Sequence, residues 1–201
     1  ETESSWAYFH DNQSAWVVFA TQKSSSPPRD IVIWHTIDRG QTWEASNFLA
    51  LDGLEAYFIP EGFAFSDPDH GWLLVHVGAG MSHDYSFLYH TTDGGAYWER
   101  IADPYGDGLQ SLNNTGLAFP DSQLGWVSKD NLGVMAGAFF EQTLDGGATW
   151  EKTFLPPPPD HDWSTELSRC QTLSPTFTSP QTAILIVNCR LYGEDYNPDM
   201  E

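Results

Sequence analysis

One eight-residue phrase occurs three times in this chain, as Thr36, Asp38, Gly40, Thr42 and Trp43, as Thr91, Asp93, Gly95, Tyr97 and Trp98, and as Thr143, Asp145, Gly147, Thr149 and Trp150 at matching offsets. The aspartates lie 55 and 52 positions apart. That period is the length of one four-stranded unit, so the chain has to be built from repeats before it can be anything else.

A second signature precedes each phrase. Phe9 leads through Asp11 to Ala15 and Trp16, Phe65 through Asp67 to Gly71 and Trp72, and Phe119 through Asp121 to Gly125 and Trp126, each Phe standing seven residues before its Trp. A strand, an Asp-rich tight turn and a second strand account for this step, because the stretches from Trp16 to Ala20 and from Trp72 to Val77 that follow the turns are strand formers. A second hairpin is read from residues 30–35, 85–90 and 138–142, each running into an Asp-x-Gly turn and then a Trp-led strand. In such a turn the short carboxylate accepts hydrogen bonds from the amides ahead of it, and Gly supplies the positive φ.

Two hairpins make a unit of about 54 residues, and repeated all-β units of that length point to the four-stranded antiparallel blades of a β-propeller. No segment holds a 3.6-residue apolar rhythm over 11 or more residues, while Gly and Pro, 30 together, are spread at turn-like intervals. The expected blades are 1–54, 55–108 and 109–159, with a partial fourth at 160–201. In the fourth, Phe177, Ser179, Ala183 and Ile184 keep the seven-residue step, and residues 184–187 read as an apolar strand. The spacing from lead Phe to final Trp is 34, 33 and 31 residues in the complete units, which puts the fourth Trp at 208–211. The chain is therefore expected to be a piece of a larger propeller of about seven blades; completion by a partner subunit, or irregular last strands, remain open alternatives.

The composition narrows the partners. Eight Lys plus Arg against 28 Asp plus Glu give a formal charge of -20, which repels phosphate backbones and anionic lipid over a Debye length of about 8 Å. Nucleic acid is excluded as a partner, and no apolar run reaches the roughly 18 to 20 residues needed to span a bilayer. Cys170 and Cys189 are equidistant from a turn centred between Ser179 and Pro180, so a hairpin there sets them opposite each other. Their pairing favours a disulfide and an extracytoplasmic, oxidising location, with free buried thiols as the alternative. Pro156 to Pro159 read as a stiff extended connector between the third and fourth units.

The repeated phrase resembles the Asp-box, or bacterial neuraminidase, repeat, whose pattern is Ser/Thr-x-Asp-x-Gly-x-Thr/Ser-Trp. The first and third copies match it throughout, and Tyr97 takes the hydroxyl position in the second. Together with the Phe-x-Asp and Gly-Trp lead, the chain is most similar to the photosystem II stability and assembly factor type of propeller, over about residues 6 to 155 and more weakly 170 to 190. The resemblance implies that the box lies on the blade periphery and is structural. Asp38, Gly40 and Trp43, Asp93, Gly95 and Trp98, and Asp145, Gly147 and Trp150 would then pin turns and take no part in catalysis. In that assembly factor family, binding to the photosystem is linked to a basic patch, which this acidic chain with five arginines does not offer.

The sialidases among Asp-box proteins use an arginine triad, and the arginines here, Arg29, Arg39, Arg100, Arg169 and Arg190, are not placed for one. Paired carboxylates for glycoside hydrolysis have turn candidates in Asp67, Asp69, Asp103 and Asp107, each of which also reads as an ordinary turn former. Asp67 with Asp69, Asp103 with Asp107, and Asp160 with Asp162 place hard oxygen donors close together, so calcium is the one weak cofactor possibility, without the ligand spacing of a recognised calcium loop. His76, His83 and Asp84 flank a Gly-rich hairpin loop and could meet across it around zinc, the competing reading being solvated histidines. No Gly-x-Ser-x-Gly elbow is present.

The resulting expectation is a non-catalytic extracytoplasmic module that binds or assembles a protein partner through loops at 77–85, 104–116 and 128–137, with no catalytic residue, metal or cofactor assigned. The rival is a carbohydrate-active enzyme or glycan-binding propeller module.

Overall fold

The computed structural model describes residues 2–22, 31–49, 58–80, 83–103, 109, 113–160, 168–179 and 181–191. None of these residues is helical. The first sheet is β1 (Thr2–Phe9), β2 (Ala15–Gln22), β3 (Val32–Thr36) and β4 (Glu44–Ala45). The second is β5 (Ile59–Phe65), β6 (Gly71–Gly80), β7 (His83–Thr91) and β8 (Glu99–Ala102), and the third β9 (Asn114–Ala118), β10 (Gly125–Lys129), β11 (Phe139–Thr143) and β12 (Glu151–Phe154). All three are antiparallel meanders in which neighbours in sequence are neighbours in the sheet. The protein is all-β, and its sheets are blades of the propeller type.

Successive blades stack face to face, which is why β6 is apolar on both sides where a half-buried strand would alternate with polar residues. Alternate residues serve the two neighbours. Leu73 and Val75 join Trp16, Val18 and Ile33 of the first blade in one core, while Trp72 and Leu74 join Leu117, Phe119 and Val127 of the third in another. The first strands touch one another, β1 against β5 and β5 against β9, so the blades fan out from them. Up-and-down strand order then sorts the connections. The first-to-second and third-to-fourth turns lie at one pole, and the second-to-third loops and blade-to-blade links at the other.

The fourth unit contains two short ladders. β13 (Ser168–Thr172) pairs with β16 (Val187–Leu191), and β14 (Thr176–Ser179) pairs with β15 (Thr182–Ile184). Residues 184–187, expected as one strand, are broken at 185–186. Between the Thr172–Val187 and Thr176–Ile184 pairs, three residues face two, and one of the three is Pro175, which has no amide for the ladder. Cys170 lies opposite Cys189, and the two form a disulfide. β13 is fastened to the third blade by the amide of Asn131 donating to the Cys170 carbonyl and by a forked Arg169–Asp130 pair at 2.7 to 3.2 Å.

All three of the expected recognition loops are partly ladder. β6 and β7 extend to Gly80 and His83, and residues 114–116 and 128–129 belong to β9 and β10. Residues 104–108 and 110–112 lie outside the described part.

Candidate functional site

Asp38, Asp93 and Asp145, with Asp11, Asp67 and Asp121, stand at the pole of the first-to-second and third-to-fourth turns. Asp38 Oδ1 accepts from the Thr36 hydroxyl and the Thr42 amide, and Oδ2 from the Thr42 hydroxyl at 2.6 Å. Asp145 repeats the arrangement with Thr143 and Thr149, again with a 2.6 Å hydroxyl bond. These hydroxyl and amide donors hold both carboxyls at about 2. Asp93 accepts from Thr91 and from the Tyr97 amide, but Tyr97 cannot supply the second hydroxyl. Gly40, Gly95 and Gly147 all have positive φ, as the turn requires. The carboxylates of Asp11, Asp67 and Asp121 bind the amides two and three residues ahead, and Asp67 also takes His70 Nδ1 at 3.0 Å.

The Asp-x-Gly turns of the second and third blades each receive a side chain from the preceding blade. Trp16 Nε1 donates to the Gly94 carbonyl and Trp72 Nε1 to that of Gly146, both at 2.8 Å. Trp16 stacks on Phe65, which meets Trp98 edge-on, and Trp72 stacks on Phe119, which meets Trp150 edge-on. The recurrent clasp is thus one indole, the next blade's lead Phe and that blade's turn Trp. Phe65 and Phe119 fit because Gly71 and Gly125 face them; a Cβ there would stand 2.2 and 2.3 Å from the rings.

Blade one carries the same receiving parts. Phe9, Thr36, Arg39, Gly40 and Trp43 line a pocket of about 250 Å³. Phe9 is 72% exposed where Phe65 and Phe119 are 5%, and Trp43 is 40% exposed where Trp98 is 2%. At the other end of the stack Trp126 meets Phe177 edge-on, and its Nε1 is buried without a hydrogen-bond partner among the described residues.

The opposite pole holds a polar row that reaches the interior. Glu61 of β5, His76 of β6 and Asp84 of β7 bring donor atoms within 4.8 Å of one another. Burial pushes Glu61 up to about 7, and burial also lowers His76 against the pull of Asp84. Asn114 and Ser86 both donate to Glu61 Oε2, and Asn114 Oδ1 accepts from Lys129 Nζ at 2.8 Å. Lys129 is fully buried and pairs with Glu141 at 2.8 Å, so burial lowers its pKa while Glu141 restrains the fall. Of the residues considered for zinc, His76 and Asp84 are together at 3.8 Å, and His76 is mostly buried rather than solvated. The His83 side chain lies outside the described part. Glu61 escaped the sequence reading because its position depends on a bulge.

The calcium candidates do not assemble into a described site. Asp67 is spent on its own turn, and Asp107 and Asp162 lie outside the described residues. A shallow groove of about 560 Å³ beside the disulfide is lined by Asp130, Arg169, Asn188 and Arg190. Among the described residues no helix is long and apolar enough to cross a membrane.

No family model matches the chain, and no curated protein matches it. Among solved structures it is similar to YCF48 bound to a D1 peptide, at 17% identity and a TM-score of 0.47, over 84% of this chain and 50% of that one. It is also similar to a GH74 xyloglucanase from Xanthomonas campestris, at 16% and 0.45 over 71% and 19%, and to an α-L-arabinanase from Penicillium chrysogenum complexed with arabinobiose, at 12% and 0.49 over 94% and 62%. The chain spans less than two thirds of the length of each of these proteins. Identities and overlaps of this size carry no activity across, and the blade-built all-β fold stands on the sheets described above.

Proposed function

We propose that the chain is a non-catalytic extracytoplasmic interaction or assembly module made of Asp-box blades, and that it works as part of a larger propeller. The observation that carries this reading is the receiving socket on blade one, with Phe9 and Trp43 bare where their counterparts are covered. Apolar surface of this kind marks a protein-binding face. Its occupant is another blade that presents an apolar side chain at the Gly-Trp position, from the rest of the same polypeptide or from a second copy. In a second copy Ile184 stands at that position and is itself exposed. The carboxylates of Asp38 and Asp145 support a scaffold role, since both oxygens of each accept hydrogen bonds from their own turn. The disulfide supports an oxidising compartment.

Sedimentation of the chain tests this. Association that weakens when Phe9 and Trp43 are both changed to Ser identifies a second copy as the occupant. A monomer that associates only with the remainder of its parent polypeptide identifies the other source. A monomer indifferent to both would overturn the reading.

The carbohydrate-active alternative has one observation in its favour. The carboxylates of Glu61 and Asp84 lie within 4.8 Å, close to the roughly 5 to 5.5 Å separation of retaining glycosidases. Release of reducing sugar from plant or bacterial polysaccharides, abolished by Asp84→Asn, would establish it in place of the interaction module.

A further inference from the structure

We propose that Glu61, His76 and Asp84 form a binding site for one first-row divalent cation, with zinc the ion of best fit. The site is independent of the blade-one socket and lies at the other pole.

His76 Nδ1 stands 3.7 Å from Glu61 Oε1 and 3.8 Å from Asp84 Oδ1. Both separations are too long for hydrogen bonds. They are close to the edge of a coordination tetrahedron, about 3.4 Å for bonds of about 2.1 Å. The two His76 edges need to shorten by only a few tenths of an ångström, and the Glu61–Asp84 edge, within 4.8 Å, by up to about 1.4 Å, to close the three donors on an ion. The side chains are 12 to 17% exposed, so an ion has a way in.

Backbone irregularity brings these donors together. Pro60 pairs with Val75 and Gly62 with Leu74, which makes Glu61 the extra residue of a bulge. His76 pairs with Ser86 and Gly78 with Tyr85, which makes Val77 the extra residue of another. Bulges re-aim side chains at the cost of ladder hydrogen bonds. Two of them at the same end of β5, β6 and β7 turn a carboxylate, an imidazole and a second carboxylate toward one point.

The carboxylates are also held from behind. Asn114 and Ser86 bond Glu61 Oε2, which leaves Oε1 toward His76, and the Asn113 side-chain amide faces Asp84, to which it donates when its nitrogen is assigned to that side. Outer partners of this type orient metal ligands. The neighbouring cation, Lys129, is committed to Glu141 and Asn114. A divalent ion would balance the paired carboxylates in a chain of charge -20. One imidazole nitrogen with two carboxylate oxygens suits zinc and its first-row neighbours, whereas calcium takes six to eight oxygens.

Titration of the oxidised chain with zinc, followed by calorimetry, tests the site, with cobalt(II) as a spectroscopic stand-in. We expect one zinc per chain, the strong visible bands of four-coordinate cobalt, and affinity reduced at least about 10-fold by His76→Ala and by Asp84→Asn. His35→Ala, at the pair His35 makes with Glu44 on another blade, should change nothing. Near-UV circular dichroism checks that each variant is folded, and His76→Gln replaces His76→Ala if the latter is not. The proposal is overturned by absence of zinc binding, by binding indifferent to His76 and Asp84, or by calcium binding as tightly as zinc.

Discussion

The indole of Trp72 lies on the ring of Phe119 at 3.7 Å with 2° between their planes, although the two residues belong to different blades. Its Nε1 completes the contact by donating to Gly146. Trp16 does the same with Phe65 and Gly94, and Trp126 has only Phe177 of the corresponding set. Trp72→Phe removes a hydrogen bond, strands a carbonyl and leaves a gap, so it should cost about 2 to 4 kcal/mol. Trp126→Phe removes an indole N–H that has no partner among the described residues and should cost about 1 kcal/mol or less. Urea unfolding of the two variants gives the comparison, and equal losses would show that the Trp126 N–H is bonded.

The residue before each of these tryptophans decides whether the lead Phe can lie down. Gly71→Ala drives a Cβ into the Phe65 ring and should cost about 2 to 3 kcal/mol by overpacking. Blade one already has Ala15 in that place, and its Phe9 is exposed. Ala15→Gly should therefore change stability by no more than about 1 kcal/mol, the ordinary cost of a strand glycine. A large loss at Ala15, measured by thermal unfolding, would contradict the pairing of Gly with the tucked Phe.

Arg39 has φ 67° where the other two turns have Gly94 at 73° and Gly146 at 74°. A side chain in this region is strained by about 1 to 2 kcal/mol. Arg39→Gly should stabilise the chain by about 0.5 to 1 kcal/mol, after the greater freedom of Gly in the unfolded state is counted. A lower urea midpoint for the variant would mean that the arginine side chain holds something worth more than the strain.

The turns, the four-stranded sheets and the cysteine register were legible because each depends on local chemistry at a fixed spacing. Asp38, Asp93 and Asp145 announce their turns by the Gly two residues later, and Cys170 meets Cys189 because a hairpin is symmetric about its turn. The break at residues 185–186 was not legible from the apolar run, since it lies opposite a three-residue stretch that includes Pro175, which has no amide for the ladder. Glu61 was missed for a similar reason. Period-2 alternation predicts where a side chain points only while the ladder is regular, and the bulge at Glu61 interrupts it. Tertiary partners such as Phe119 for Trp72 carry no local mark, although their repetition in three units does.

Tyr97 breaks the pattern of the second turn and offers a direct gain-of-contact experiment. The ring is 58% exposed, so little packing is lost when it is removed. Tyr97→Thr should restore the hydroxyl bond that Thr42 and Thr149 make, lower the Asp93 pKa further and stabilise the chain by about 0.5 to 1 kcal/mol. Carboxyl carbon NMR across an acid titration, with thermal unfolding beside it, reads both effects.

The same hydrogen bonds set how the turns respond to acid. Asp145 is held at about 2 chiefly by the Thr149 hydroxyl and amide, whereas an unfolded Asp titrates near 3.9. A folded pKa below the unfolded one means that the unfolded chain binds the proton first as pH falls. The contribution of the charged carboxylate is therefore complete above about pH 4 and is lost as pH falls through about 2. Asp145→Asn should be less stable than the unsubstituted chain at pH 7, by an amount limited by solvent screening at this exposed turn. The gap should narrow below about pH 4 and level off below about pH 2, where both carry a neutral side chain. Asp38→Asn should follow the same course, since Thr42 holds Asp38 at about 2 in the same way. Denaturant melts at several pH values check this, and a gap that stayed constant down to pH 2 would show that the turn needs the geometry of Asp and not its charge.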